Sequence, residues 1–213
     1  MTEKCLANWG RFIRLKTKEP DTINWLDDYL EAGDTFYDIG ANIGVYSLYA
    51  AQKGNSVIAI EPESSSYAVL NRNIHLNGYS KTICALNLAL YNREVLSKLN
   101  IGNYQPGKSG HSFHDKLDSS LHLPTRKHEQ AVIGMPLDTL VNRYAMDSPN
   151  VIKIDVDGNE SKIIEGMKTI LKDRRLKSIA IEIDKSIDSH KEISKTLAAV
   201  GFKLLSNPRY RNY

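Results

Sequence analysis

TFYDIGANIG, residues 35–44, is the stretch on which the fold turns. Its first half mixes aromatic and β-branched residues and predicts a strand over Thr35–Ile39. The glycines that follow, Gly40 and Gly44, predict a tight turn into a helix over 43–52. Gly40 suits backbone angles that other residues avoid, and it lets a ligand approach the main chain closely. Gly44 lets the helix pack against the strand. Outward from this unit the pattern repeats. SVIAIE (56–61) is a second strand, and a helix carrying Tyr67, Leu70 and Ile74 follows it. Further strands are predicted over Thr82–Leu90, Val151–Ile154 and SIAIEID, the last ending near Glu182–Asp184. Between the latter two lies a helix over Glu160–Leu171. A capping box, Ser189 to Glu192, opens the last helix, and FKLL (202–205) reads as a closing strand. Strands alternating with helices predict an α/β fold of Rossmann-like form, a mainly parallel twisted sheet with helices on both faces.

Residues 1–33 form a lead-in with one predicted helix, Asp21 to about Ala32, capped by Asp21 and closed by Gly33. Residues 34–213 form the main domain. Within it, 92–130 is too long for an ordinary connection and predicts a long loop insertion, flanked by short strands over 95–101 and 131–135. The excess of 28 basic over 25 acidic residues is too small to argue for nucleic acid by itself. No apolar run approaches the ~18 residues of a membrane span, and the charged N-terminus has no signal-peptide core. Two cysteines, Cys5 and Cys84, support neither a disulfide framework nor a zinc cluster, so a cytoplasmic setting is expected. Cys84, within TICALNLAL, reads as a small buried strand residue.

Ligands in open α/β sheets sit at the carboxyl ends of the strands. Asp38 precedes the glycine turn, and Glu61 ends the second strand 23 residues later. That is near the ~20-residue spacing of an acid that binds ribose hydroxyls. A dinucleotide site wants G-x-G-x-x-G, but Asn42 stands at the middle glycine, and the phosphate-cradling G-x-x-x-x-G-K-[ST] pattern is absent. Asp38 would repel phosphate and suit a cation. A nucleoside with a cationic amino-acid tail and no phosphate fits, and S-adenosylmethionine (SAM) is that molecule. Its ribose is expected on Glu61 and its methionine end over the DIGANIG turn.

Taken together, FYDIGANIGVYSLYAAQKG, VIAIEPESSSYAVLNRNIHLNG, MPLDTLV and VIKIDVDGNESKIIEGMKTIL resemble the FkbM-type methyltransferases, SAM-dependent enzymes with a Rossmann-like class I fold. The resemblance runs from about Asp34 to Glu182. It implies SAM contacts at Asp38, Gly40, Ala41, Asn42, Gly44 and Glu61, with Asn87 facing the adenine edge. It also implies transfer of a methyl group to oxygen, commonly a hydroxyl of a sugar or small metabolite. Asp157 departs from the family, which usually has Glu there.

A hydroxyl acceptor must lose a proton, so a base or a metal helps. Asp155, at the end of its strand in VIKIDVDGNE, is the first candidate base, and His111 in SGHSFHD is the second. Glu160 suits the first turn of the following helix, and Lys153 reads as a buried stem with its ammonium paired to a carboxylate. Glu182 and Asp184 share the rim with Asp155. A divalent metal on these oxygens is conceivable, but none is predicted. His111, His114, His122 and His128 match no zinc spacing. The acceptor is expected to be a small molecule or glycan. An RNA acceptor is the alternative, although no N-P-P-[YF] strand end is present. A NAD-dependent oxidoreductase is disfavoured by the missing glycine, and a SAM-binding protein without catalysis is the last reading.

Overall fold

In the computed structural model, residues 20–113, 128–183 and 188–205 are described. The elements are α1 (Pro20–Tyr29), β1 (Thr35–Ile39), α2 (Val45–Gln52), β2 (Ser56–Ile60), α3 (Ser64–Leu76), β3 (Ile83–Leu86), β4 (Ala89–Leu90), β5 (Val95–Ile101), β6 (His111–Phe113), β7 (His128–Met135), α4 (Leu137–Arg143), β8 (Val151–Ile154), α5 (Glu160–Glu165), a 3₁₀ turn (Ile170–Lys172), β9 (Ser178–Ile181) and α6 (Asp188–Ala199).

These strands make two sheets, which corrects the expectation of one mainly parallel Rossmann-like sheet. The first sheet has five parallel strands in the order β3-β2-β1-β8-β9. The second has four strands, β4-β7-β5-β6, and is mixed: β4 runs parallel to β7, whereas β5 is antiparallel to both β7 and β6. The predicted strand over 82–90 breaks at Asn87, and its two halves serve different sheets. Val95–Ile101 forms β5 as read from the sequence, and β7 begins earlier than the 131–135 expected. Apolar side chains of β4–β7, with Tyr91, make a separate small core in which Phe113 meets Tyr91 edge-on at 5.7 Å.

The first sheet has a side-chain pattern that explains its register. Ile39, Ile60, Leu86, Ile154 and Ile181 stand in one row and pack on the face covered by α4, α5 and α6. The preceding row is Ala85, Ala59, Asp38, Lys153 and Ala180. Three alanines leave space on this face for α2 and α3, whose Leu48 and Leu70 join Trp25 and Leu26 of α1 in the second core. Such a parallel sheet, covered on both faces, accounts for the nearly continuous apolar strands of the sequence.

Three local readings are corrected. The helix predicted over Glu160–Leu171 stops at Glu165, and the next residue, Gly166, passes so close to the backbone of Tyr91 that a Cβ would lie 2.4 Å from its carbonyl oxygen. FKLL forms no strand, and Leu204 stands 79% exposed. Cys84 is exposed, because β3 is the edge of its sheet.

Candidate functional site

The ends of β1, β2, β8 and β9 meet at one cavity of about 560 Å³, within the usual range of small-molecule sites. The backbone ladder fixes the rim. Glu61 N–H donates to Leu86 O at 3.0 Å, Asp155 N–H to Ile39 O at 3.0 Å, and Glu182 N–H to Ile154 O at 3.1 Å. Each acid is therefore the first residue past its strand, placed by pairing that continues one bond beyond it.

Gly40 and Ala41 both donate to Ile60 O at 3.0 Å, which folds the turn back over β2. Gly40 has φ 78°, and a Cβ there would lie 1.9 Å from the backbone oxygen of Asp155. Its close neighbour is thus the β8 end of the protein itself. Gly44, with φ 86°, is needed against Leu70 of α3, which a Cβ would meet at 2.3 Å. Asn42 also takes a left-handed conformation, φ 53°. Its amide donates to Glu61 Oε2 at 2.8 Å, and its side-chain Oδ1 is buried with no hydrogen-bond partner.

Glu61 holds the turn and faces the cavity at once. Its other oxygen accepts from Glu63 N–H at 2.8 Å. Burial pushes this carboxyl up to about 7, even though both amide bonds pull it down. A carboxylate has roughly four lone-pair directions, so two amide bonds leave capacity for further donors.

Asp38 does not stand at the mouth. It is fully buried beneath the turn, where Ser47 Oγ–H of α2 donates to its Oδ2 at 2.6 Å and its Oδ1 has no partner. Burial raises its carboxyl, against the opposing pull of Lys153 and Ser47. Asn87 lies one residue past β3, and its amide donates to Glu61 O at 2.8 Å and Pro62 O at 3.0 Å. Gly40, Ala41, Asn42, Glu61, Asp155 and His111 all line the cavity; Asp38, Gly44 and Asn87 support it from outside.

The neighbouring wall, on β8 and β9, is charged. Lys153 Nζ, nearly buried, donates to Asp155 Oδ2 at 2.6 Å and lies 4.8 Å from the ring centre of Tyr46. Burial alone would raise Asp155, but Lys153 and a hydrogen bond to Glu182 hold it below the usual carboxylate range. Glu182 responds in the opposite sense. The bond to Asp155, then burial, then the Asp155 charge push it up to about 7. The two therefore titrate as a pair sharing one proton near neutrality. The sequence placed both acids on the rim without signalling their pairing. Glu160 opens α5 as expected but is buried, and burial pushes it up to about 8. Asp184, His114 and His122 lie outside the described residues; among those described, no three His, Cys, Asp or Glu side chains are grouped to hold a metal ion.

His111 enters from the second sheet. It opens β6, both its ring nitrogens are buried without hydrogen-bond partners, and it lines the cavity with Phe113.

A family model for the methyltransferase FkbM domain matches residues 38–204. The chain belongs to the FkbM methyltransferase family. It is accordingly a SAM-dependent methyltransferase. Hexuronic acid methyltransferase AglP of Haloferax volcanii is 26% identical over 186 residues, 87% of this chain and 70% of that protein. Among solved structures, methyltransferase FkbM from Methylobacillus flagellatus KT superposes with a TM-score of 0.52 at 18% identity, over 78% of this chain but 37% of its own. Precorrin-6y C5,15-methyltransferase from Geobacter metallireducens GS-15 gives 0.51 at 12% identity, over 87% and 72%. At such identities these two likenesses bear on the fold alone. No helix among the described residues is long and apolar enough to cross a membrane.

Proposed function

We propose that this FkbM methyltransferase methylates a hydroxyl oxygen of a sugar, glycan or small metabolite. The observation that carries the reading is the shared cavity: the glycine turn and Glu61 form one wall, and the Asp155–Glu182 pair forms the other. The residues fit SAM. Glu61 keeps acceptor capacity for two ribose hydroxyls, and the orphaned Oδ1 of Asn42 offers a buried acceptor to the ammonium of the methionine end. Gly40 and Ala41 line the same wall. Asp38 supports it from below, through the hydrogen bond from Ser47. Gly44 admits Leu70, and Asn87, from outside the cavity, spends its side-chain donors on Glu61 O and Pro62 O and so steadies the Glu61 end of β2. Bound SAM supplies an electrophilic methyl group.

The chain's own work is to hold the acceptor oxygen in line behind that methyl and to take its proton. With both carboxyls ionised, the Asp155–Glu182 pair accepts one proton near neutral pH, where a general base is most useful. Lys153 keeps Asp155 ionised and oriented. His111 contacts the acceptor from the second sheet. Asp155 and Glu182 offer acceptors to the hydroxyls of a polyol, and Lys108, on the same lining, suits a single carboxylate. The Haloferax volcanii relative is named for hexuronic acid, so glucuronate heads the acceptor panel.

Release of S-adenosylhomocysteine is measured against glucuronate, neutral sugars, glycolipids, phenols and RNA. Turnover with a sugar or small hydroxyl compound is expected; turnover with RNA alone contradicts the reading. The cofactor wall has its own test. Glu61→Ala is expected to weaken SAM at least tenfold by calorimetry, about 1.4 kcal/mol or more. In the wild type, SAM affinity should also depend on pH. Ribose hydroxyls donate to the ionised carboxylate, and Glu61 gains its proton below about 7. Binding is therefore expected to be about tenfold weaker at pH 6 than at pH 8, and this difference should shrink in Glu61→Ala to the part that Glu182 contributes.

A further inference from the structure

The segment from Gly107 to Phe113 crosses the cavity as a strap, tied at both ends. On the cofactor side Gly107 N–H donates to Ser66 Oγ at 3.2 Å, and Asn42 Nδ2 donates to Lys108 O at 3.2 Å. On the β8 side Asn159 Nδ2 donates to Phe113 O at 3.0 Å. The most specific tie is Asp157. Its Oδ2 accepts from the backbone N–H groups of both Gly110 and His111, each at 2.8 Å. Two successive amides on one oxygen form a nest, and the acceptor's charge strengthens both bonds. Gly110, with φ 90° and open space around it, has the freedom to turn its amide toward the same oxygen as the next one. The residue so clamped is His111, whose imidazole is buried in the cavity with neither nitrogen satisfied. A buried imidazole without partners is held by its backbone, because no side-chain bond fixes it.

We infer that Asp157 is a positioning residue: through the backbone of Gly110 and His111 it seats the His111 ring against the methyl acceptor. This rests on the proposed reading of the cavity as the transfer site. Asp157 itself is exposed, so its removal leaves both cores intact. An asparagine keeps an oxygen that accepts both amides, whereas an alanine keeps none.

The test compares the wild type, Asp157→Ala and Asp157→Asn. Diethyl pyrocarbonate labelling of His111, read by peptide mass spectrometry, is expected to be at least tenfold faster in Asp157→Ala and within threefold of wild type in Asp157→Asn. SAM affinity by calorimetry should stay within twofold in all three. With glucuronate as the acceptor probe, Asp157→Ala should raise the acceptor KM at least fivefold with kcat within twofold, and Asp157→Asn should restore most of it. Unchanged labelling in Asp157→Ala overturns the inference. So does a loss of SAM affinity parallel to the gain in labelling, since Asp157 would then be holding the cofactor wall. A wild-type chain that binds no SAM, or leaves glucuronate unmethylated, counts against the functional reading or its acceptor, and the labelling rates still decide the clamp.

Discussion

Replacing Asp155 with asparagine is expected to lower kcat by about 10²- to 10⁴-fold, the usual worth of a positioned general base. SAM affinity should change little, because the substitution keeps the backbone that abuts Gly40 and leaves Glu61 and Asn42 in place. The amide still accepts from Lys153 Nζ, but the nearly buried ammonium loses its anionic partner. Asp155 is 40% exposed, so solvent offsets part of the loss, and the cost should fall between the ~1 kcal/mol of an exposed pair and the ~3–5 kcal/mol of a buried one. Urea unfolding of the variant therefore accompanies the kinetics. The double variant Lys153→Met/Asp155→Asn removes the ammonium as well and should stay inactive. The wild-type pH profile carries an independent sign. Below about 7 Glu182 holds the shared proton against Asp155, whose lowered basicity makes it a poor base; above it both carboxyls are ionised. The rate should climb with pH to about 7 and then level off. Glu182→Gln removes the shared proton and should abolish that inflection. A profile that falls through the same range contradicts a carboxylate base.

Gly40→Ala is expected to be the most damaging single substitution in the cofactor wall. The added methyl would lie 1.9 Å from Asp155 O, a backbone atom that no rotamer change can move aside. The left-handed conformation at φ 78° adds roughly 1–3 kcal/mol of its own. Relief requires the β1 and β8 ends to separate, which pulls Asp155 away from the turn. Urea unfolding should show a loss of about 3 kcal/mol or more, and calorimetry should show no SAM binding in the protein that remains folded. Gly54→Ala is the control. Gly54 is also left-handed, φ 89°, yet nothing lies within 4 Å of its added Cβ. It should lose roughly 1 kcal/mol and bind SAM normally. Equal behaviour of the two variants contradicts the close approach of the strand ends.

Much of the first sheet is legible in the sequence because its strands are buried on both faces and end in acids or glycines. Glu61 and Asp155 could be placed at strand ends for that reason. The side on which an acid falls is less legible. Asp38 shares its row with Lys153 and three alanines on the α2 face, and what holds it there is Ser47, which no motif marks. The second sheet is legible only in part: β5 and the end of β7 read as short strands, but their pairing and β6 do not. In β5 and β7 the paired Leu96 and Ile133 are 72% and 55% exposed, so the apolar pattern does not separate an inner from an outer face. β6 spans His111–Phe113, too short to show any period. A stretch with that pattern reads as a loop, and His111 could be singled out only as a titratable side chain within it. Its seat in the cavity depends on Asp157, an exposed residue whose bonds are to backbone amides and leave no trace in side-chain spacing.

Under the proposed reading the adenosyl group lies across the β1–β2 end of this cavity. A crystal of the chain grown with S-adenosylhomocysteine should show both ribose hydroxyls on Glu61, the amino-acid end beside Asn42, and the sulfur facing Asp155 and His111. Density for the nucleoside elsewhere, or in this cavity without a contact to Glu61, would contradict it.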